Sequence, residues 1–176
     1  MVTTRPNLCP TTPGIETLDS SFNRSRHRHL HAYATVVLAG SFEESGLLGR
    51  IDASAGHVLV HPALDGHAHQ MVSATAKVLR LNWSATDEPG GLYRLNDVDT
   101  LARTAEKDLI EAALLLQHVF VSERPNPIRK RKDWPDLLAS DLAKNTSVEI
   151  GAWAEANGLA RETVSRGFAA AYGVVP

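Results

Sequence analysis

The sequence predicts an α+β protein built from an N-terminal β-rich barrel or sandwich, a long central helix and a C-terminal all-α unit. Three observations predict it. Residues 24 to 84 carry short runs of β-forming residues broken by Gly, Pro and Asp. Residues 97 to 122 place apolar side chains every three or four positions. Residues 150 to 168, IGAWAEANGLARETVSRGF, put Ala154, Gly158 and Val164 at the three fixed positions of a helix-turn-helix.

The 176 residues are 43% hydrophobic and 22% charged, with a net charge of −2, which bounds the chain to one or two globular domains. No apolar run reaches the 18 residues that a membrane span needs. The first 20 residues, MVTTRPNLCPTTPGIETLDS, lack the apolar centre of a signal peptide and read as a flexible arm. A single cysteine, Cys9, excludes an internal disulfide and fits a reducing cytoplasm.

Residues 21 to 96 form the expected β domain, with strands in HAYATVVLAG, GRIDAS, HVLVHP, HQMVSA and AKVLRLNW, closed by the turn chemistry of DEPGG. Glu43 and Glu44 read as loop residues and Asp65 as a turn residue. In 97 to 123, Leu101, Ala105, Leu109, Ala112, Leu116 and Val119 make one helical stripe, and Ile110, Ala113 and Leu114 widen it. A second apolar face either packs within the chain or joins two copies as a homodimer. Residues 124 to 135, with three prolines and the run Arg129-Lys130-Arg131-Lys132, read as a linker. Residues 136 to 176 form the all-α unit, where WPDLLASDLAKN is a supporting helix with Leu137, Leu138 and Leu142 inward.

Sterics explain the helix-turn-helix spacing. Two closely crossing helices need a small residue, Ala154; the turn needs positive φ, met by Gly158; and Val164 drives back into the crossing. Thr146 and Glu149 read as a capping box before the first helix, and Gly173 and Pro176 end the second. Such a second helix usually enters the DNA major groove. With Val164 and Phe168 inward, Glu162, Ser165 and Arg166 face out as the candidate DNA-reading residues. From Pro125 onward seven Lys/Arg stand against six Asp/Glu, a net of +1, so the fragment alone should hold DNA weakly.

GLARETVSRGFAAAYGVVP resembles the first helix-turn-helix of AraC-type transcriptional regulators, through Gly158, Leu159, Val164, Arg166, Phe168, Gly173 and Pro176. Ala160 departs from the family's capping Ser, and Val175 from its small polar residue. AraC-type domains carry two such motifs, so the resemblance covers about half of one. The match ends at Pro176, where the family's linker helix to the second motif begins.

Seven of the eight histidines fall between 27 and 69. His27, His29 and His31 stand at i, i+2 and i+4 of an expected strand, and His67 and His69 repeat that spacing. Imidazole suits zinc, nickel, iron or copper. The spacing also resembles the two cupin motifs, with His27 and His29 as the first pair, Gly40 closing it, and Gly56, Pro62 and His67 fitting the second. Tyr33 stands in the glutamate slot, and Ser21, Leu64 and Met71 replace the family's Gly, Gly and Asn. The resemblance implies a cupin-like β-barrel in which His27, His29 and His67 hold a divalent metal, zinc or nickel first, with His31 or His69 as further ligands. His57 and His61 read as structural, and His118 as a helix surface or packing residue.

Two functions follow. A cupin-like domain ahead of a linker helix and a helix-turn-helix is the order of an AraC-type regulator. On that reading the chain is a non-enzymatic, cytoplasmic, dimeric regulator that binds a metal or small effector and double-stranded operator DNA. The alternative is a metal-dependent cupin enzyme, a dioxygenase or isomerase with a helical appendix, which three imidazoles around an open metal position would permit.

Overall fold

A computed structural model describes residues 8–46, 49–84, 90–123 and 133–176. The expected Arg129–Lys132 run lies outside these residues. Among the described residues, nine strands form two antiparallel sheets that face each other as a sandwich, consistent with the cupin-like expectation. The strands are β1 Gly14–Leu18, β2 Arg24–Arg28, β3 Tyr33–Ala39, β4 Ser41–Gly46, β5 Gly49–Ser54, β6 His57–His61, β7 Gly66–Met71, β8 Ala76–Asn82 and β9 Gly91–Arg94. One sheet runs β1-β8-β3-β6-β9, and the other β2-β7-β4-β5.

The central strands β3 and β6 are buried on both faces, so they read as nearly continuous apolar runs. Inward residues Val37, Leu59, Val78 and Leu92 meet Phe42, Ile51 and Ala53 of the opposite sheet, with Leu18 and Phe22 in the same cluster. Outward residues Ala34, Val36, Val58, Val60, Leu79 and Leu81 pack beneath two helices, α1 Val98–Ala105 and α2 Leu109–Glu123. Phe120 anchors α2, its ring meeting Trp83 and Tyr93 edge to face at 4.9 Å each.

Several features differ from the sequence reading. The expected flexible arm contains β1, whose Gly14–Leu18 backbone pairs with β8 at the sheet edge. The expected single helix over 97–123 is broken at Glu106–Asp108, because the Asp108 carboxylate accepts from the Ile110 and Glu111 amides and starts a new helix. Within α2, Leu116 belongs to the intrachain core, while Ile110, Leu114 and Val121 are exposed.

The C-terminal residues form α3 Trp134–Lys144, α4 Ile150–Ala156 and α5 Arg161–Tyr172 around a separate core of Leu138, Ala154, Val164, Phe168 and Tyr172. Pro135 occupies the first turn of α3, where its missing N–H costs nothing. Leu137 faces solvent instead of inward. The expected capping box is replaced by a direct cap: Glu149 is itself the N-cap of α4, accepting from Gly151 and Ala152 amides. Gly158 turns the chain at φ +68°, and Ala160 begins α5 with no side-chain cap.

This helical unit is latched to the sandwich. Asp136 accepts from the Arg50 amide and guanidinium, each at 3.3 Å, and from the Tyr172 hydroxyl at 2.6 Å. Asp133 also pairs with Arg50.

Candidate metal centre and adjoining chamber

The site begins with an irregularity in β2. Arg24 pairs with His69 and His27 with His67, so three steps along β2 match two along β7. This bulge breaks the period of two and puts Arg24 and His27 on the same inward face. Without it, one of them would point to solvent.

Within the sandwich, His27, His67 and His69 offer ligand atoms that all lie within 4.8 Å of one another, and Glu44, His61 and His67 form a second such group. Their rings interlock, His27 to His67 at 4.6 Å and His61 to His67 at 4.8 Å between centroids. His27 Nδ1 donates to the Ser25 carbonyl at 3.0 Å. A carbonyl only accepts, so this bond fixes the tautomer and leaves His27 Nε2 with a free lone pair.

His29, expected as a ligand, stacks on His67 at 5.3 Å, but its Nδ1 lies 2.7 Å from the Thr11 hydroxyl and it joins neither group. His31 is exposed beyond the end of β2 and takes no part. His69, expected as a supplementary ligand, belongs to the first group.

Two residues that the sequence reading set aside stand at the centre. Glu44 lies on β4 instead of in a loop, and its carboxylate sits 2.9 Å from His69 Nε2 and 3.6 Å from His61 Nδ1. His61, read as structural, is fully buried against it. Once β4 is known to be a strand, Phe42 and Glu44 are two apart on it, so the buried Phe42 puts Glu44 on the inward face. Tyr33, in the cupin glutamate slot, lies 3.1 Å from His67 Nε2, so the carboxylate comes from β4 instead.

Burial dominates the electrostatics. It holds His61 at a pKa of about 3 and His29 at about 4, and pushes His67 and His69 well below the usual imidazole range. It also pushes the Glu44 carboxyl well up, with nearby Asp65 adding to the effect. Neutral imidazoles present lone pairs, while a buried carboxylate lacks a compensating charge. The Nδ1 atoms of His61, His67 and His69 have no hydrogen-bond partner among the described residues. Orphaned imidazole nitrogens around a carboxylate are a donor set that a divalent cation of the zinc or nickel type would satisfy. The residues present fit such a group.

Beside the cluster opens a chamber of about 460 Å³, lined by His27, His29 and His69 on one side and by Phe22, Arg24 and Arg80 on another. On α5, Glu162 and Arg166 are exposed and Ser165 is half-buried, and with Arg161 they line a shallow open surface.

No family model and no curated protein matches the chain. Among solved structures it is similar to ToxT from Vibrio cholerae O395 bound to (E)-4-(8-methylnaphthalen-1-yl)but-3-enoic acid, at 9% identity and a TM-score of 0.47, over 94% of this chain and 96% of that one. It is also similar to a mutant oxalate decarboxylase OxdC of Bacillus subtilis (14% identity, TM-score 0.30, 87% of this chain and 28% of that one). A third similar structure is PhpD with cadmium atoms (15% identity, TM-score 0.29, 92% and 36%). It is this chain's own residues that carry the functional reading.

Proposed function

We propose that the chain is a sensor-regulator: the sandwich binds a divalent metal or small effector, and α4–α5 form a helix-turn-helix that binds double-stranded DNA. One observation carries the reading. Ala154 and Val164 are buried at the α4–α5 crossing and Gly158 holds positive φ between them, which leaves Glu162, Ser165 and Arg166 on the free side of α5. Arg166 is the first candidate for a base contact, since its fork suits the two acceptors of guanine.

The test is selection of duplexes from a random library by the full chain, followed by anisotropy titration of the winners. Arg166→Ala should cost about 1–3 kcal/mol of specific binding and relax preference at one base pair. A chain that enriches no sequence, or an Arg166→Ala variant with unchanged affinity and preference, removes α5 as a reading head.

Glu44 favours a second reading, a metal-dependent enzyme. His27, His67, His69 and Glu44 would hold the metal, which would supply Lewis acidity. Arg24 and Arg80 would orient an anionic substrate in the chamber. Turnover by the metal-loaded chain, lost in Glu44→Gln with metal content retained, would select this reading.

A further inference from the structure

The chamber has two chemically distinct walls. One is the imidazole cluster. The other is an aromatic ring carrying two guanidinium groups: the central carbons of Arg24 and Arg80 lie 5.6 and 5.3 Å from the Phe22 ring centroid. Phe22 in turn stacks on His69 at 4.9 Å, so the ring is shared between the histidines and the arginines. Arg24 reaches this wall only because of the β2 bulge. Arg80 comes from β8, and after burial its charge is one of the influences that keep His27, His29, His61 and His69 neutral.

Charge and apolar area together define what fits. Two guanidiniums line the chamber against one carboxylate, Glu16, which pairs with Arg80 and has a side chain 48% exposed. Water and salt screen the pair from the Glu16 side, so Glu16 yields to a better-placed anion. The wall continues into the apolar side chains of Pro10, Pro13 and Ile15, which keep exposed surface. An inorganic anion would leave that surface without a partner, and a neutral apolar molecule would leave Arg24 without an anionic partner among the described residues.

We propose that the chamber binds a small organic carboxylate. Its carboxylate sits between Arg24 and Arg80, where planar forks match a planar anion, and its apolar body lies over Pro10, Pro13 and Ile15. This rests on the reading of the sandwich as the ligand-binding part of the chain, and it names the ligand class.

Calorimetric titration of the full chain with butanoate, hexanoate, octanoate and 3-cyclohexylpropanoate, each beside its matching alcohol, tests the proposal. At least one acid should bind about tenfold more tightly than its alcohol. Arg24→Gln, at an exposed position, should bring acid and alcohol together without lowering the Tm, and Glu16→Gln should tighten the acid. Equal binding of every acid and its alcohol, no saturable binding of any acid, or a preference that survives Arg24→Gln overturns the proposal. DNA selection, run on the same preparation, separates the two readings. Retained selection without carboxylate preference overturns the ligand class alone. Carboxylate preference in a chain that selects no DNA supports it and sinks the regulator.

Discussion

Asp136→Ala should unlatch the helical unit from the sandwich. The carboxylate accepts from the Arg50 amide, Nε and Nη2 and from the Tyr172 hydroxyl, and the Arg50 side chain is only 12% exposed. Removing one partner of a buried ion pair costs about 3–5 kcal/mol. Asp133, half-exposed, still pairs with Arg50 in the variant and brings the cost to about 3 kcal/mol, the low end of that range. For a chain of this length each kcal/mol shifts the Tm by roughly 2–4 °C, so the expected drop is about 6–12 °C. Tyr172→Phe removes one hydrogen bond and should cost about 1 kcal/mol. Urea unfolding followed by tryptophan fluorescence reads both parts, since Trp134 and Trp153 lie in the helical unit and Trp83 in the sandwich core. An Asp136→Ala variant that melts within about 2 °C of the parent would refute the latch.

The histidine cluster sets an acid limit. Imidazoles whose folded pKa is lowered let the unfolded chain bind more protons below pH 6.5, so stability falls as pH drops from there toward the folded values of about 4 for His29 and about 3 for His61. Glu44, raised by burial, acts in the opposite sense above its ordinary range, but it is one group against several. Metal-free protein should therefore melt lower at pH 5 than at pH 7.5, and an equal or higher Tm at pH 5 would contradict the cluster's neutrality. Leu114→Glu should convert a dimer to a monomer in light scattering, because Ile110, Leu114 and Val121 are the exposed apolar face of α2; Leu116→Glu should instead unfold the chain. A parent that is already monomeric at high concentration rules that interface out. Gly167→Ala should destabilise the helical unit despite alanine's better helix propensity, since a Cβ there would sit 2.5 Å from the Trp134 ring. A Tm equal to or above the parent's would show that Trp134 moves aside freely.

The alternating and continuous apolar runs, the α4–α5 turn and the histidine-rich β region were legible because each is a local pattern. Glu44 was not, because an acidic pair between turn signals reads as a loop until β7 pairs with it on one side and β5 on the other. The β2 bulge was equally hidden. A strict period of two grouped His27 with His29 and His31, whereas the ladder groups His27 with Arg24 and leaves His31 outside. The break at Asp108 shows a polar side chain winning over helical periodicity: its carboxylate caps the next two amides that need an acceptor.

The four-stranded sheet is a partition one residue thick. On β4, Glu44 faces the histidines while Glu43 and Ser45 face the end of α5; on β7, His67 and His69 alternate with Ala68 and Gln70 in the same way. Arg50, on neighbouring β5, carries the latch to α3. Each peptide that sets the position of an imidazole or the carboxylate thus also sets the floor on which the helices rest. The path from the histidine cluster to α5 is a few bonds through the wall.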